Sequence, residues 1–232
     1  RVFNLGGDLA LFVLFIKARD REALAHYARL CIDNMHARMR GYDAPLVTVS
    51  LVQGDALGGG LECALSSDVV FAEESAALGL PEILFNLFPG MGAVSLLSRR
   101  LGARAAESLV LSGRVLGAQE LHRLGVVDVL VKEGEGEEAV RRWIAAHERR
   151  RNGTAAFYAA RRAVQAVPRA ELDAVAQTWV DAALRLEDRD LKMMGRIVRS
   201  QMRRLERGDV ADVALDAMAQ SEREEAPCAR SA

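Results

Sequence analysis

The sequence predicts an α/β fold with a helical C-terminal region. Short runs rich in β-branched residues alternate with helical stretches up to about residue 134, and from Glu135 onward Ala, Arg, Glu and Leu recur at helical spacing alone. Half of the 232 residues are apolar, enough for one substantial core with an appendage. The chain divides accordingly into an α/β core over residues 1–134, a helical region over 135–208 and a tail over 209–232 expected to be flexible.

Val2-Phe3-Asn4 reads as a strand that runs into Gly6-Gly7. The chain thus opens as if in the middle of a fold, and an N-terminal portion is expected to precede it. Leu9 to about Met39 reads as helical, apolar on all sides at first and amphipathic later, and Pro45 closes that region. Leu46 to Gln53 is short and β-branched, so a buried strand is expected. Gly58 to Ser66 is expected to be a helix and Val69 to Ala72 a strand. Gly79 to Gly92, with two prolines and three further or bounding glycines, reads as an ordered loop. Helices are expected at about Ala93–Leu101, Ala103–Leu111 and Gly117–Leu124, then a strand at Val126–Val131. The helical remainder, to about Leu205, should break near Asn152-Gly153 and Val167-Pro168.

A net charge of −1 gives no electrostatic reason to expect nucleic acid as a partner. Cys31, Cys63 and Cys228 are odd in number and form no C-x-x-C pair, which points away from a disulfide framework and towards a reducing, cytoplasmic compartment. The longest apolar run, Leu9–Ile16, is far shorter than the roughly 20 residues a membrane span requires. The four histidines, at 26, 36, 122 and 147, lack metal-ligand spacing, so neither a metal nor another cofactor is expected.

The chemistry concentrates around two glutamates. Glu62 follows Gly58-Gly59-Gly60, where a strand turns into a helix. Glycines at a helix start leave backbone N–H groups unshielded, and the helix dipole adds positive potential, which suits a phosphate or a thioester oxyanion. No Lys-Ser/Thr follows, no G-x-G-x-x-G spacing is present, and no G-x-S-x-G elbow exists, so phosphate loops and serine hydrolases are disfavoured. Taken alone the triplet is equally a tight strand-to-helix turn, and Glu62 a carboxylate that complements a dipole. Glu82 follows Pro81 in an apolar stretch, where a carboxylate needs a partner or a raised pKa; alternatively it opens a helix behind an N1 proline.

Three segments together, FNLGGD (Phe3–Asp8), ALGGGLE (Ala56–Glu62) and GLPEILFNLFPGMG (Gly79–Gly92), resemble the crotonase superfamily of enoyl-CoA hydratases and isomerases. The similarity runs from the start to about Val131, with a weaker helical match beyond. Within that superfamily the chain is most similar to the diffusible signal factor synthases of bacterial quorum sensing, through Asn4–Phe12, the Gly79–Gly92 loop and the stretch from Trp179 through Met193-Met194 to Gln201. Ordinary hydratases carry a lysine shortly after the Asp of the first motif; Leu9-Ala10-Leu11 stands here instead, which favours an acyl carrier protein over coenzyme A as thioester donor.

The resemblance implies a crotonase-like fold of repeated β-β-α units and a homotrimer or hexamer. It implies an oxyanion hole formed by the backbone N–H groups of Leu5 and Gly59, Glu62 and Glu82 as the acid/base pair, and Gly90 as the residue whose N–H positions water. Gly6, Gly7, Leu57, Gly58, Met91, Trp179 and Ile197 would complete a substrate pocket. Which glutamate is the acid stays open. Trp179 and Ile197 lie ~27 Å apart on a straight helix, so both reach one acyl chain only if the helix breaks, with Glu187–Asp190 as the candidate. The reaction implied is dehydration of a 3-hydroxyacyl thioester to a cis-2-enoyl thioester followed by hydrolysis to the free acid. The alternatives are an ordinary enoyl-CoA hydratase and a non-catalytic protein that binds a partner such as a sensor kinase domain. Cys63 reads as a small buried hydrophobe, and Arg149-Arg150-Arg151 as a helix end, or else a dock for an acidic carrier.

Overall fold

The computed structural model describes residues 1–207, with side chains described through residue 200. The expected tail over 209–232 lies outside the described residues. The element order is β1 (Val2–Asn4), α1 (Leu9–Lys17), α2 (Arg21–Met39), β2 (Val49–Val52), β3 (Asp55–Leu57), α3 (Gly59–Leu65), β4 (Val69–Glu73), β5 (Ala77–Gly79), α4 (Ala93–Leu101), α5 (Ala103–Ser112), β6 (Val115–Gly117), α6 (Ala118–Leu124), β7 (Val129–Val131), α7 (Gly136–Glu148), α8 (Arg151–Val164), α9 (Arg169–Ala183) and α10 (Asp188–Arg207). The predicted α/β class and the helical C-terminal region are both present.

The strands form two sheets. One has the order β1-β3-β5-β6, with only the β5–β6 pair antiparallel; the other is β2-β4-β7, parallel throughout. β3, β5 and β6 were not predicted. Each is three residues long, and Asp-Ala-Leu and Ala-Leu-Gly carry none of the β-branched residues that mark strands in a sequence. Non-local pairing decides them: Ala56 lies opposite Leu78, and Leu78 opposite Leu116. The strand expected over Val126–Val131 begins only at Val129, because the N–H groups of Val126 and Val127 donate to the Leu121 carbonyl at the end of α6.

The helix expected over Leu9–Met39 is broken. Arg19 turns left-handed, with φ of 52°, and Asp20 then caps α2 by accepting from the Ala23 N–H at 2.9 Å. Asp8 caps α1 in the same way through Leu11. The break expected at Asn152-Gly153 falls instead at Arg149-Arg150, where the Arg150 N–H closes α7 on the His147 carbonyl. Gly153 lies in the first turn of α8, outside the helix interior where glycine costs most.

Of the four apolar clusters in the described interior, two are large. One fills the space between the sheets and α3–α6, including Val52, Leu61, Val70, Leu78, Leu97 and Leu121. The other joins α1 and α2 to α9 and α10 across the loop after β5, through Phe12, Leu24, Phe85, Met91, Trp179 and Ile197. This second cluster spans both sides of residue 134, so the N-terminal helices and the C-terminal helices share one core. Phe12 is its hub, packing edge-on against Tyr27 at 4.8 Å and Trp179 at 5.1 Å between ring centroids.

The C-terminal helices are tied to the sheets by a buried carboxylate. Asp68, 5% exposed, accepts from the Thr48 N–H and hydroxyl at 2.8 and 3.0 Å and from the Arg162 Nε at 2.9 Å, and it also pairs with Arg161. α8 has no fully buried residue, and it is held by these ion pairs together with Tyr158, which packs against the Val69–Phe71–Val131 cluster. Asp68→Ala is expected to lower stability by ~2–4 kcal/mol, because it leaves two guanidinium groups partly buried without a counter-charge. An unchanged urea midpoint would show that α8 is held by other contacts.

Candidate active site

The glycine motifs form the site's walls by allowing backbone to touch backbone. A Cβ on Gly60 would stand 1.9 Å from the Asn4 carbonyl oxygen, and one on Gly6 would stand 2.8 Å from the Leu57 carbonyl oxygen. The β1–α1 turn therefore lies directly on the β3–α3 turn. Gly58 makes a different demand. Its φ of 54° is in the left-handed range, and a Cβ there would meet the Glu82 Oε1 at 2.5 Å. Gly58 thus leaves the room that the Glu82 carboxylate occupies. The Gly59 N–H opens α3, where no carbonyl one turn below exists to accept it.

These turns border a pocket that opens to solvent. Leu5, Gly6, Gly7, Gly58, Gly59, Glu62, Glu82, Gly90, Met91, Trp179 and Ile197 all line it. Of the residues expected at the site, Leu57 alone does not. It is a buried β3 residue whose carbonyl oxygen lies against Gly6. Leu9, Phe12, Pro81, Phe85, Leu87 and Pro89 line the pocket as well and were not anticipated. The run Leu9–Ile16 is helical as expected, but its apolar character suggested burial on every side, whereas only Phe12 and Ile16 are buried and Leu14 is 61% exposed; nothing in the run distinguishes Phe12, which the fold alone aims at Trp179.

Trp179 and Ile197 reach one pocket because the helix breaks between them. α9 ends at Ala183 and α10 begins at Asp188, so the break includes Glu187 but falls mostly before the charged stretch. Asp190, 7% exposed, holds the corner: its Oδ2 accepts from the Glu187 N–H at 2.9 Å and from the Asn86 Nδ2 at 3.3 Å. Asn86 has a left-handed φ of 60° and ends the 3-10 turn that carries Glu82. The start of α10 and the turn bearing Glu82 are thus joined by one side-chain pair. Gly90 packs flat on the indole, since a Cβ there would lie 2.4 Å from the Trp179 Cγ.

The two glutamates are buried unequally in chemical terms. Both carboxyl groups are almost wholly shielded, at 2% exposure for Glu62 and 9% for Glu82. Burial raises both pKa values. Glu62 is compensated: its Oε1 accepts from the Met91 N–H at 2.8 Å and the Ala93 N–H at 2.9 Å, at the N-terminus of α4. Glu82 has less help, from its own backbone N–H alone. Its Oε2 is buried without a hydrogen-bond partner, and burial followed by repulsion from Glu62 pushes its pKa up to about 8. The arrangement favours charge on Glu62 and a proton on Glu82, an assignment the sequence left open.

Behind the glycine wall lies a second cavity, sharing Gly6, Gly7, Gly59 and Met91 with the first. Cys63 lines it and is only partly buried, contrary to the expected buried hydrophobe. Its sulfur and carbonyl receive the Arg38 Nη1 at 2.8 and 3.0 Å. Among the described residues no helix is long and apolar enough to cross a membrane.

The family model for enoyl-CoA hydratase/isomerase matches residues 1–218. The chain belongs to the enoyl-CoA hydratase/isomerase family. Solved structures agree at the level of the fold, as for the enoyl-CoA hydratase of Bacillus halodurans, with a TM-score of 0.69 and 20% identity over 83% of this chain and 76% of that one. A putative enoyl-CoA hydratase from Streptomyces avermitilis is 28% identical, with a TM-score of 0.61 over 72% of this chain and 59% of that one. A carnitinyl-CoA hydratase from Mycobacterium avium is 29% identical, with a TM-score of 0.56 over 68% of this chain and 61% of that one. The chain thus spans about three-fifths of the length of these last two relatives.

The raised pKa of Glu82 makes stability depend on pH in a definite direction. Its folded-state pKa of about 8 lies above the ordinary 4.5, so the stability linked to its proton is full below about 4.5 and is lost as pH rises through about 8. Glu82→Gln mimics the protonated form. It is expected to be more stable than the wild type at pH 9, by a margin that shrinks towards pH 5, in urea denaturation at both pH values. Equal midpoints at pH 9 would contradict the raised pKa.

Proposed function

We propose that the protein dehydrates a 3-hydroxyacyl thioester carried by an acyl carrier protein to the cis-2-enoyl thioester and then hydrolyses it to the free fatty acid. The observation that carries this reading is two buried glutamates lining one pocket beside two glycine turns, one accepting two backbone N–H bonds and the other with an unpartnered oxygen. In the first step the Glu62 carboxylate takes the α-proton. The N–H groups of Leu5 and Gly59 hold the enolate oxygen, and losing one such donor typically costs ~3–4 kcal/mol of transition-state stabilisation. Glu82 gives its proton to the departing 3-hydroxyl, which leaves as water.

The second step restores both groups. Glu82, now ionised, takes a proton from water, which is positioned with help from the Gly90 N–H and attacks the thioester carbon. The C–S bond breaks, and Glu62 returns its proton to the thiol of the carrier. Two carboxylic groups with opposite starting states therefore suffice for one dehydration and one hydrolysis. The apolar end of the pocket, with Phe12, Met91, Trp179 and Ile197, suits a medium-length acyl tail. The absence of a lysine at Leu9-Ala10-Leu11 supports a carrier protein as donor. As in the family resemblance, assembly as a homotrimer or hexamer is part of this proposal.

The same carboxylates and the family membership support equally well an ordinary hydratase acting on a trans-2-enoyl-CoA. The deciding experiment offers 3-hydroxydodecanoyl thioesters on acyl carrier protein and on coenzyme A, with products identified by mass spectrometry and NMR. Free cis-2-enoic acid from the carrier-bound substrate is the expected result. A trans product from coenzyme A alone, without free acid, selects the hydratase reading. Glu62→Gln and Glu82→Gln are each expected to lower dehydration by ~10²–10⁴-fold, with the fold retained at pH 6 by circular dichroism. Dehydration at wild-type rate in either variant would overturn the acid/base assignment.

A further inference from the structure

The turn that carries the Leu5 N–H is bordered by both cavities. Leu5, Gly6 and Gly7 line the pocket that holds the two glutamates. Gly6 and Gly7 also line the second cavity, together with Asn4 and Tyr27, neither of which lines the pocket. These two side chains reach the turn from the second cavity and act on the pocket only through it.

The turn needs support from outside itself. Gly6 has a φ of 92° and Gly7 follows it, and paired glycines leave backbone dihedrals weakly determined. Asn4 closes one end. Its Oδ1 accepts from the Gly6 N–H at 2.8 Å, an Asx turn that spans Leu5. Asn4 is itself fixed, since it pairs with Ala56 at the end of β1 and its carbonyl oxygen lies against Gly60. Tyr27 closes the other end, where its hydroxyl accepts from the Asp8 N–H at 3.2 Å. Tyr27 belongs to α2, and its ring is held edge-on against Phe12. The start of α1 is capped separately, through the Asp8 Oδ1 and the Leu11 N–H, so the Tyr27 bond adds to the turn and not to the cap.

A backbone donor stabilises an enolate oxygen only when it lies about 2.7–3.1 Å from it. Misplacement by ~1 Å can cost ~10²-fold in rate. We propose that Asn4 and Tyr27 are positioning residues, which clasp the Leu5–Gly7 turn at its two ends and so hold the Leu5 N–H on the thioester oxygen. The proposal rests on the oxyanion hole of the reading above, and it applies whichever carrier bears the thioester.

The test uses Tyr27→Phe, which removes one hydroxyl and keeps the ring on Phe12, and Asn4→Ala. Asn4→Ser is the conservative variant, because its hydroxyl can close the same turn. Values of kcat and KM are measured on the 3-hydroxydodecanoyl thioesters of acyl carrier protein and of coenzyme A, with folding checked by circular dichroism. In Asn4→Ala kcat is expected to fall ~10-fold or more, and in Tyr27→Phe ~3-fold or more, with KM within about twofold of wild type, because a misplaced oxyanion donor is felt in the transition state more than in binding. Asn4→Ser is expected to recover most of the loss. A kcat within about twofold of wild type in both Asn4→Ala and Tyr27→Phe would overturn the proposal. So would a raised KM at unchanged kcat, or an Asn4→Ser variant as impaired as Asn4→Ala, since either marks a structural role alone. If Asn4→Ala does not fold, Tyr27→Phe decides by the same split between kcat and KM. A wild-type protein that turns over neither thioester would refute the reaction and the positioning role with it, whereas an active wild type with unimpaired variants refutes the positioning alone.

Discussion

The contact between the Glu62 carboxylate and the N–H groups of Met91 and Ala93 organises the rest of the site. It ties α3 to the start of α4, and so fixes the loop that carries Gly90 and Met91. It also compensates a buried charge that would otherwise cost several kcal/mol. Because those donors lie at a helix N-terminus, they stabilise the ionised form of Glu62 specifically. The negative charge held there in turn opposes ionisation of Glu82, which has no donor of its own at Oε2. One structural hydrogen-bond pair thus bears on loop position and on the protonation of both carboxyl groups.

The glycines serve the same arrangement from the other side. Gly60 and Gly6 let two turns meet backbone to backbone, and Gly58 leaves the volume filled by the Glu82 carboxylate. Side chains at these points would separate the turns or displace the acid. The apolar end of the pocket depends on a different device, the Asp190–Asn86 link, which holds the break between α9 and α10 against the turn bearing Glu82.

Much of this was legible in the sequence because it is local. The glycine triplet before Glu62, the proline before Glu82 and the FNLGGD turn each announce their conformation through short-range rules of φ and helix starts. The helices were legible for the same reason, by periodicity. The strands β3, β5 and β6 were not, since Asp55–Leu57, Ala77–Gly79 and Val115–Gly117 are extended only through pairing with distant segments. Nor was the break at Arg19, where a left-handed arginine carries no sequence signal and the Asp20 cap is read only once the turn is known.

By itself the sequence determined the α/β class, the two carboxylates and the turns that carry them, because these follow from residue type and near neighbours. Tertiary structure alone decided which glutamate keeps its proton, because that depends on N–H groups 29 and 31 residues from Glu62 in sequence. It also decided that Phe12 meets Trp179, that Leu57 does not line the pocket, and that Asp68 binds α8 to the sheets. Burial and electrostatic coupling belong to the assembled interior, where segments far apart in the chain share one low-dielectric space.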